Sequence, residues 1–449
     1  MSEADKKNSP WIWVFSLYVP FGLFNGFLQL FPQSLVKLLG FSNEMVGLIS
    51  TAGFIVSLRF LYAPWLDGAT TKRRMTLIAM AISALVLALT GGLLFTQPAP
   101  MLLYGLICAM LVLLALCSAA YETSADGYYI RALDPSLQAQ FIGIKTTAIR
   151  LGALTGVMGL MLGATKLAAR YGATGMDSVD KTGFHIGFGW AYLLTAVVLV
   201  GFFFFNKRMV PAIEQDQPVK HQHFALKETL QEYFRQDRVA LIIALILLYR
   251  FGMGFVGVLR NTWLLDPVES SGMNMPAGSI PLYTMLTDIP GMIVGGVLGG
   301  YLIKWFGLRK TFLPMAFCAS LPAFIFALLA WNCPAHTIRL FGEPLNTAVM
   351  IGWACEAMTY GMSFSALFYY MHITATLSGR NKTSILAISM CLMNIGFTIP
   401  MTISGYIQSS LNYTWTFVLG GAVTLLVLLI IPFLRLPEMT KSSDSAETH

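Results

Sequence analysis

Charge is what this chain of 449 residues has least of: 11% of its side chains are Asp, Glu, Lys or Arg, against 56% hydrophobic. A water-soluble domain keeps roughly a quarter of its residues charged, so a soluble fold is excluded. Cysteine is scarce too, with six residues (108, 117, 318, 333, 355 and 391) scattered mostly within apolar runs and no C-x-x-C pair. That spacing excludes a disulfide framework and reads as small packing residues. The six histidines include one close pair, His221 and His223, and no nucleophile stands near a positioned base. An enzyme is therefore not expected, and neither a metal nor a cofactor is called for. The net charge of +7 lies mainly in the tails and short loops, which argues against a nucleic-acid partner.

What the chain has in quantity is long apolar runs, with a mean hydropathy of +0.66. Runs of about 20 residues suit membrane helices rather than the short alternating strands of a barrel. Forty glycines suit close helix packing in lipid. Twelve spans are predicted, at about 11–35, 43–65, 74–96, 100–130, 137–167, 184–206, 239–262, 279–304, 311–331, 346–373, 382–407 and 413–435. The polar N-terminus precedes a long first run without a small-residue cleavage site, so that run is expected to be retained as a helix. The expected fold is an all-α membrane protein of twelve transmembrane helices in two six-helix bundles. Residues 1–205 form the first, 206–238 a linker, and 239–449 the second with its tail. Within the linker, 224–234 (FALKETLQEYF) reads as an amphipathic surface helix or as plain connection.

An even number of spans puts both ends on one side. Most basic residues fall in the tails and beside the loops after spans 2, 4, 6, 8 and 10, including Lys72, Arg73, Arg74, Arg131, Lys207, Arg208, Arg309, Lys310, Arg380 and Lys382. Few (Lys37, Lys166, Arg170, Lys181, Arg339) fall opposite. The positive-inside bias then places both termini in the cytoplasm.

Charges inside the spans carry the functional argument. Arg59, Glu122, Asp126, Lys145, Arg150, Arg250, Arg260, Asp288 and Glu356 lie away from the span ends. A mid-bilayer charge costs ~2.5–3.5 kcal/mol on insertion scales, so these groups must pair, neutralise or line water. Glu122 and Asp126 are four residues apart and share one helix face. They could form ion pairs with Arg59, Lys145 or Arg150, carry a coupling proton, or hold a cationic solute. Glu356 has no base within several turns of its own helix, which leaves a proton, a solute hydroxyl or a base on another helix as its partner. Arg150, followed by Gly152, and Arg250 come from opposite halves and together would make an anion site; the alternative is that Arg250 pairs with Asp288 or Glu356. Tyr121, Tyr128, Tyr129, Tyr360, Phe364, Tyr369 and Tyr370 supply aromatic faces suited to sugar rings, or to packing. Pro290 with Gly291, Gly295 and Gly299 allows a kink and close packing in span 8.

The halves also echo each other. APWLDG (63–68) followed by Lys72–Arg74, and GYLIKWFGLRK (300–310), both resemble the G-x-x-x-D-R-x-G-R-R loop of the major facilitator superfamily. The second copy has Lys304 where the acid belongs, and the first has Ala63 for the leading glycine. RFLYAPWLD (59–67), the acids Glu122 and Asp126 with Gly127, IRLG (149–152), YRFG (249–252), and Glu356 with Gly361, Met362, Ser365 and Ala366 resemble motifs of one branch, the peptide and acetyl-coenzyme A transporter family. The resemblance implies proton-driven import across the bacterial inner membrane by a monomer. Glu122, Asp126 and Glu356 would handle the proton. Arg150, Arg250, Tyr121 and Tyr360 would bind solute, and Arg59, Asp67, Arg73 and Arg309 would sit in gating loops. The implied cargo is an anionic, sugar-containing solute of muropeptide type, or alternatively a glycoside, a siderophore or an acyl-coenzyme A compound.

Overall fold

The structure, a computed structural model, describes residues 9–58, 61, 70–133, 141, 144–145, 147–149, 151–213, 216, 226–377 and 382–434. In chain order the helices are α1 (Pro10–Leu28), α2 (Leu30–Leu38), α3 (Asn43–Ile49), α4 (Ala52–Ser57), α5 (Lys72–Thr96), α6 (Pro100–Ala132), α7 (Gly159–Arg170), α8 (Thr182–Met209), α9 (Leu226–Phe234), α10 (Val239–Tyr249), α11 (Phe251–Leu265), α12 (Ser279–Tyr283), α13 (Ile289–Phe306), α14 (Leu308–Trp331), α15 (Thr347–Leu377) and α16 (Lys382–Ile430). A small hairpin, β1 (Thr337–Leu340) with β2 (Glu343–Asn346), pairs antiparallel and closes through Phe341 and Gly342, both at positive φ.

Eight stretches among the described residues are long and apolar enough to cross a membrane. One of them, Ile385–Phe433, has 49 residues; at ~1.5 Å per residue it is far longer than a ~30 Å hydrocarbon core. It turns back at Asn412, whose φ of 63° breaks the helix, so it supplies spans 11 and 12. The remaining three expected spans are α3 with α4, the π-helix Gly152–Met158 running into α7, and α15, which carries Glu356. The twelve-helix membrane fold is thus present, with an unanticipated hairpin between spans 9 and 10.

Several spans are broken near their middles. Span 1 breaks at Gln29, between α1 and α2, and span 7 breaks at Arg250, between α10 and α11. Span 2 breaks between α3 and α4, and span 8 contains a π-helix at Thr284–Asp288. The first two spans of each half are thus all interrupted, as is span 5 by its π-helix Gly152–Met158, and interrupted helices are where transporters place their sites. The predicted close packing in span 8 is also found. A Cβ on Gly295 would lie 1.9 Å from the Met358 carbonyl oxygen, so only glycine lets span 8 lie against α15. Gly152 meets span 1 in the same way, its added Cβ 2.1 Å from the Val19 carbonyl oxygen.

Side-chain contacts show which ends share a face. The Trp11 ring meets that of Phe141 at the start of span 5, and Ser16 Oγ donates to Asn206 Oδ1 near the end of span 6 at 2.6 Å. Arg238, before span 7, donates to the Phe433 carbonyl at the end of span 12. Starts of odd spans and ends of even spans therefore lie together, on what is called here the terminal side. Of the two readings of residues 224–234, the helix is the one found: it forms as α9 and docks on span 11 through Tyr233, whose hydroxyl lies 3.3 Å from Ser389 Oγ.

Candidate functional site at the waist between the halves

A cavity of about 170 Å³ opens between spans 1, 2, 4 and 11. Phe21, Asn25, Leu28, Gln29, Gly53, Val56, Ser57, Glu122, Asn394, Phe397 and Thr398 line it, so both halves contribute walls. Asn25 and Gln29 are one turn apart and lie close to the middle of the run Pro10–Leu38. Asn25 Nδ2 reaches the Phe21 carbonyl of its own helix at 3.4 Å, and carboxamides gathered around one polar void in a membrane core suit a hydrogen-bonding guest or water.

Beside this cavity stands Arg250, at the break in span 7. Its guanidinium lies 4.1 Å from the centroid of the Phe397 ring and 5.4–5.5 Å from those of Phe364 and Tyr360. Arg250 Nη2 donates to the Tyr360 hydroxyl at 2.6 Å, while its buried Nε has no hydrogen-bond partner. Among the described residues no carboxylate stands within ion-pair distance of Arg250. The alternative pairing with Asp288 or Glu356 is not what the structure places there.

Those two acids belong to Arg260 instead. Its Nη2 lies 2.7 Å from Asp288 Oδ2 and its Nη1 3.0 Å from Glu356 Oε2, with the guanidinium 4.5 Å from the Trp353 ring. The partner left open for Glu356 is therefore a base on another helix. Glu356 is fully buried and its second oxygen, Oε1, has no hydrogen-bond partner. Two carboxyl groups face one guanidinium, so the cluster is neutral only when one of them carries a proton.

In the first half, Asp126 accepts from Lys145 Nζ at 2.7 Å and from the Tyr18 hydroxyl at 2.6 Å, which joins spans 1, 4 and 5. Lys145 also lies over the Tyr18 ring at 4.7 Å. This pair is wetter than the other cluster, the Asp126 side chain being 39% exposed against 1% for Glu356. Glu122 lines the cavity one turn away. Tyr121 is fully buried, its hydroxyl donating to the Leu17 carbonyl and its ring packed on Phe24, so its groups are spent on packing. Arg59, Asp67 and Arg150 lie outside the described residues. Arg73 binds the Lys207 and Val210 carbonyls at 2.6 and 2.8 Å, and the Asp216 carboxylate accepts the backbone N–H groups of Lys72 and Arg73 at the start of α5. An acid at a helix N-terminus satisfies donors that the helix leaves free. Arg309 lies exposed at the start of α14.

The side opposite the termini is shut by a buried network between the halves. Asn43 Nδ2 lies 3.1 Å from Asp266 Oδ2, 2.8 Å from Gln408 Oε1 and 2.9 Å from the Tyr413 hydroxyl. Lys37 donates to Asn43 Oδ1 at 2.6 Å and pairs with Asp266, which also accepts from Tyr413. Span 2 and span 11 touch directly there: a Cβ on Gly405 would sit 2.1 Å from the Asn43 carbonyl oxygen. Further out, Lys166 reaches the Phe341 carbonyl of the hairpin at 3.3 Å, and the Ala277 N–H donates to Thr174. Burial raises the carboxyl of Glu343, in the same hairpin, above the usual range, with Lys166 acting the other way.

Reading the sequence by its charges passed over Asn25, Gln29 and Asn394, which are neutral. The available signal was a carboxamide inside an apolar run, as telling as a charge once burial is counted. It also left Lys37 as a loop base, although an acid waited for it across the halves.

With this geometry in view, the comparisons are specific. The Major Facilitator Superfamily model matches residues 11–375. The Rickettsia bellii transporter named AmpG 1 is 24% identical over 423 residues, covering 92% of this chain and 95% of that one. The anhydromuropeptide permease of Escherichia coli is 25% identical over 275 residues, covering 60% of this chain and 50% of that permease. Crystal structures of the nucleoside transporter NupG (D323A mutant) and of the Escherichia coli xylose transporter XylE superpose with TM-scores of 0.66 and 0.64, at 12% identity each. The first pairing covers 95% of this chain and 99% of that one, the second 96% and 100%. A twelve-helix chain of this architecture, matched over most of its length, belongs to the major facilitator superfamily and is a membrane transporter with AmpG and anhydromuropeptide permeases among its relatives.

Proposed function

We propose that this transporter is a proton symporter importing an anionic, sugar-containing solute of muropeptide type into a bacterial cell across the inner membrane, with both termini in the cytoplasm. The observation that carries the reading is the pairing of a carboxamide-lined cavity with Arg250, which has no acid within ion-pair distance among the described residues. Asn25, Gln29 and Asn394 can each give and accept hydrogen bonds with sugar hydroxyls, Phe21 and Phe397 offer flat apolar walls, and Arg250 can meet a carboxylate. Tyr360 orients that guanidinium, and Arg150 is proposed as the second base, facing it from the first half.

The coupling follows from charge. Asp126 is part-exposed while Glu356 is sealed in a cluster with two acids to one base. With the far side shut, Asp126 and Glu122 exchange protons with water on the terminal side, and Glu356 holds its proton out of reach. Opening the far side would reverse the two exposures. The bundles 1–205 and 239–449 would rock about the cavity, joined by the linker 206–238, with Arg59, Asp67, Arg73 and Arg309 controlling the terminal-side mouth.

The test is uptake of a labelled anhydromuropeptide into proteoliposomes, with and without an inside-alkaline gradient. Concentrative uptake that collapses with the gradient, and counterflow driven by unlabelled muropeptide, are expected. Uptake indifferent to the gradient would remove proton coupling, and counterflow with a glycoside or a siderophore alone would replace the solute.

A further inference from the structure

Away from the waist, a second cavity of about 360 Å³ lies on the terminal side of the second half, between α13, α14 and α15. Its lining is Leu302, Phe306, Lys310, Thr311, Pro314, Met315, Cys318 and Met362. All but Lys310 and Thr311 present apolar surface, and the Thr311 hydroxyl is turned back to the Gly307 carbonyl at 2.8 Å. From Lys310 to Cys318 the groove follows α14 for about 12 Å, most of the ~15 Å hydrocarbon depth of one leaflet. Phe306, Lys310 and Pro314 are exposed, so the groove opens toward the lipid.

The rim gives the occupant its chemistry. Lys304, Arg309 and Lys310 gather at the tight turn through Gly307 between spans 8 and 9, and the sequence from Ile289 to Gly342 contains no carboxylate. Among the described residues no acid stands within ion-pair distance of Lys304 or Lys310. Trp305 and Phe306, 67% and 57% exposed, lie at the depth where aromatic side chains meet headgroups. An acyl-shaped trough with cations at its headgroup end is complementary to one class of molecule.

We infer that this groove is a binding site for an anionic phospholipid, with an acyl chain along α14 and the phosphate held by Lys310. The cytoplasmic leaflet, where the terminal side is placed, is the one rich in such lipids. Cys318, at the inner end of the groove, reports occupancy directly. The experiment uses the full chain in detergent and follows maleimide modification of the peptide carrying Cys318 by mass spectrometry. Phosphatidylglycerol, phosphatidylcholine of the same chains, and soluble glycerol phosphate are added in turn.

Phosphatidylglycerol is expected to slow modification and phosphatidylcholine to do so less. A basic side chain near the surface is worth about fivefold in affinity, so Lys310→Gln should raise the phosphatidylglycerol concentration needed by about that factor, and Lys310→Arg should restore it. Equal protection by both lipids, or no effect of Lys310→Gln, would overturn headgroup recognition. Protection by glycerol phosphate alone would make this a free anion site, and no protection by any lipid would leave the groove empty of lipid. Because Lys310 is exposed, its replacement is not expected to disturb folding, and native mass spectrometry of retained lipid gives an independent readout.

Discussion

Lys145 Nζ stands 2.7 Å from Asp126 Oδ1, so span 5 is tied to span 4 through an acid that water still reaches. An exposed pair contributes little to stability, roughly 0–1 kcal/mol, because solvent screens it. Its value lies in what happens to the proton when the partner moves. Asp126→Asn is expected to leave the protein folded, keep counterflow and lower concentrative uptake by at least about tenfold, a barrier change near 1.4 kcal/mol. Glu122→Gln is expected to act in the same direction. Either variant retaining full uptake against a gradient would take that acid out of the coupling.

The Arg260 cluster responds asymmetrically. Glu356→Gln leaves a balanced Arg260–Asp288 pair, so the fold should persist while coupling is lost. Arg260→Met leaves the Asp288 carboxylate part-buried beside Glu356 without a base, and stranding buried charge in this way costs about 3–5 kcal/mol. Thermal unfolding in detergent should therefore drop sharply for Arg260→Met and little for Glu356→Gln. Adding Glu356→Gln to Arg260→Met should recover part of the loss. Equal destabilisation by the two single variants would contradict this charge count.

Arg250 is held by ring faces and a tyrosine hydroxyl, so its replacement strands no acid among the described residues. Hydrogen bonds to a charged group are worth about 1.5–3 kcal/mol, and Arg250→Ala is expected to raise KM for an anionic solute by roughly 10- to 150-fold. Arg250→Lys keeps the charge but loses the planar fork that stacks on Phe397, and should fall between the two. Initial-rate uptake at several solute concentrations separates these cases. A neutral analogue of the solute should be nearly indifferent to both.

Much of this was legible in the sequence because membranes make charge expensive. Glu122, Asp126, Arg250 and Glu356 stand out against apolar runs, and the glycines of span 8 announced close packing, though not against which helix. What the sequence hid was partnership across helices: the pairing of Glu356 with Arg260 depends on how spans 7 and 10 lie together, which no local pattern encodes. The cavity was hidden for a related reason. Asn25, Gln29 and Asn394 carry no charge, and only the breaks at Gln29 and Arg250 mark their level as special. Span 2 was read as one helix because hydropathy reports burial, not the continuity of backbone hydrogen bonds.

The closure opposite the termini gives the last prediction. It rests on direct backbone contact between span 2 and span 11, where an added Cβ on Gly405 meets the Asn43 carbonyl oxygen at 2.1 Å and one on Gly47 meets the Thr402 carbonyl oxygen at 2.8 Å. Asn43, Lys37, Asp266, Gln408 and Tyr413 seal the same level with buried polar contacts, so the halves can part there only by breaking several at once. The proposed import requires that they part. Gly47→Cys combined with Thr402→Cys is therefore expected to form a disulfide under oxidation and stop uptake, with reduction restoring it to the level of the reduced double variant, while the single Thr402→Cys variant transports and Gly47→Cys alone, whose Cβ must displace the Thr402 carbonyl, is slower. Gly405→Leu should do the opposite, wedging the two spans apart and biasing the population toward the far-side-open form. That bias is measured as faster reaction of the single Thr402→Cys variant with an impermeant thiol reagent added from outside. Uptake that survives complete cross-linking would mean that this seam does not open during transport.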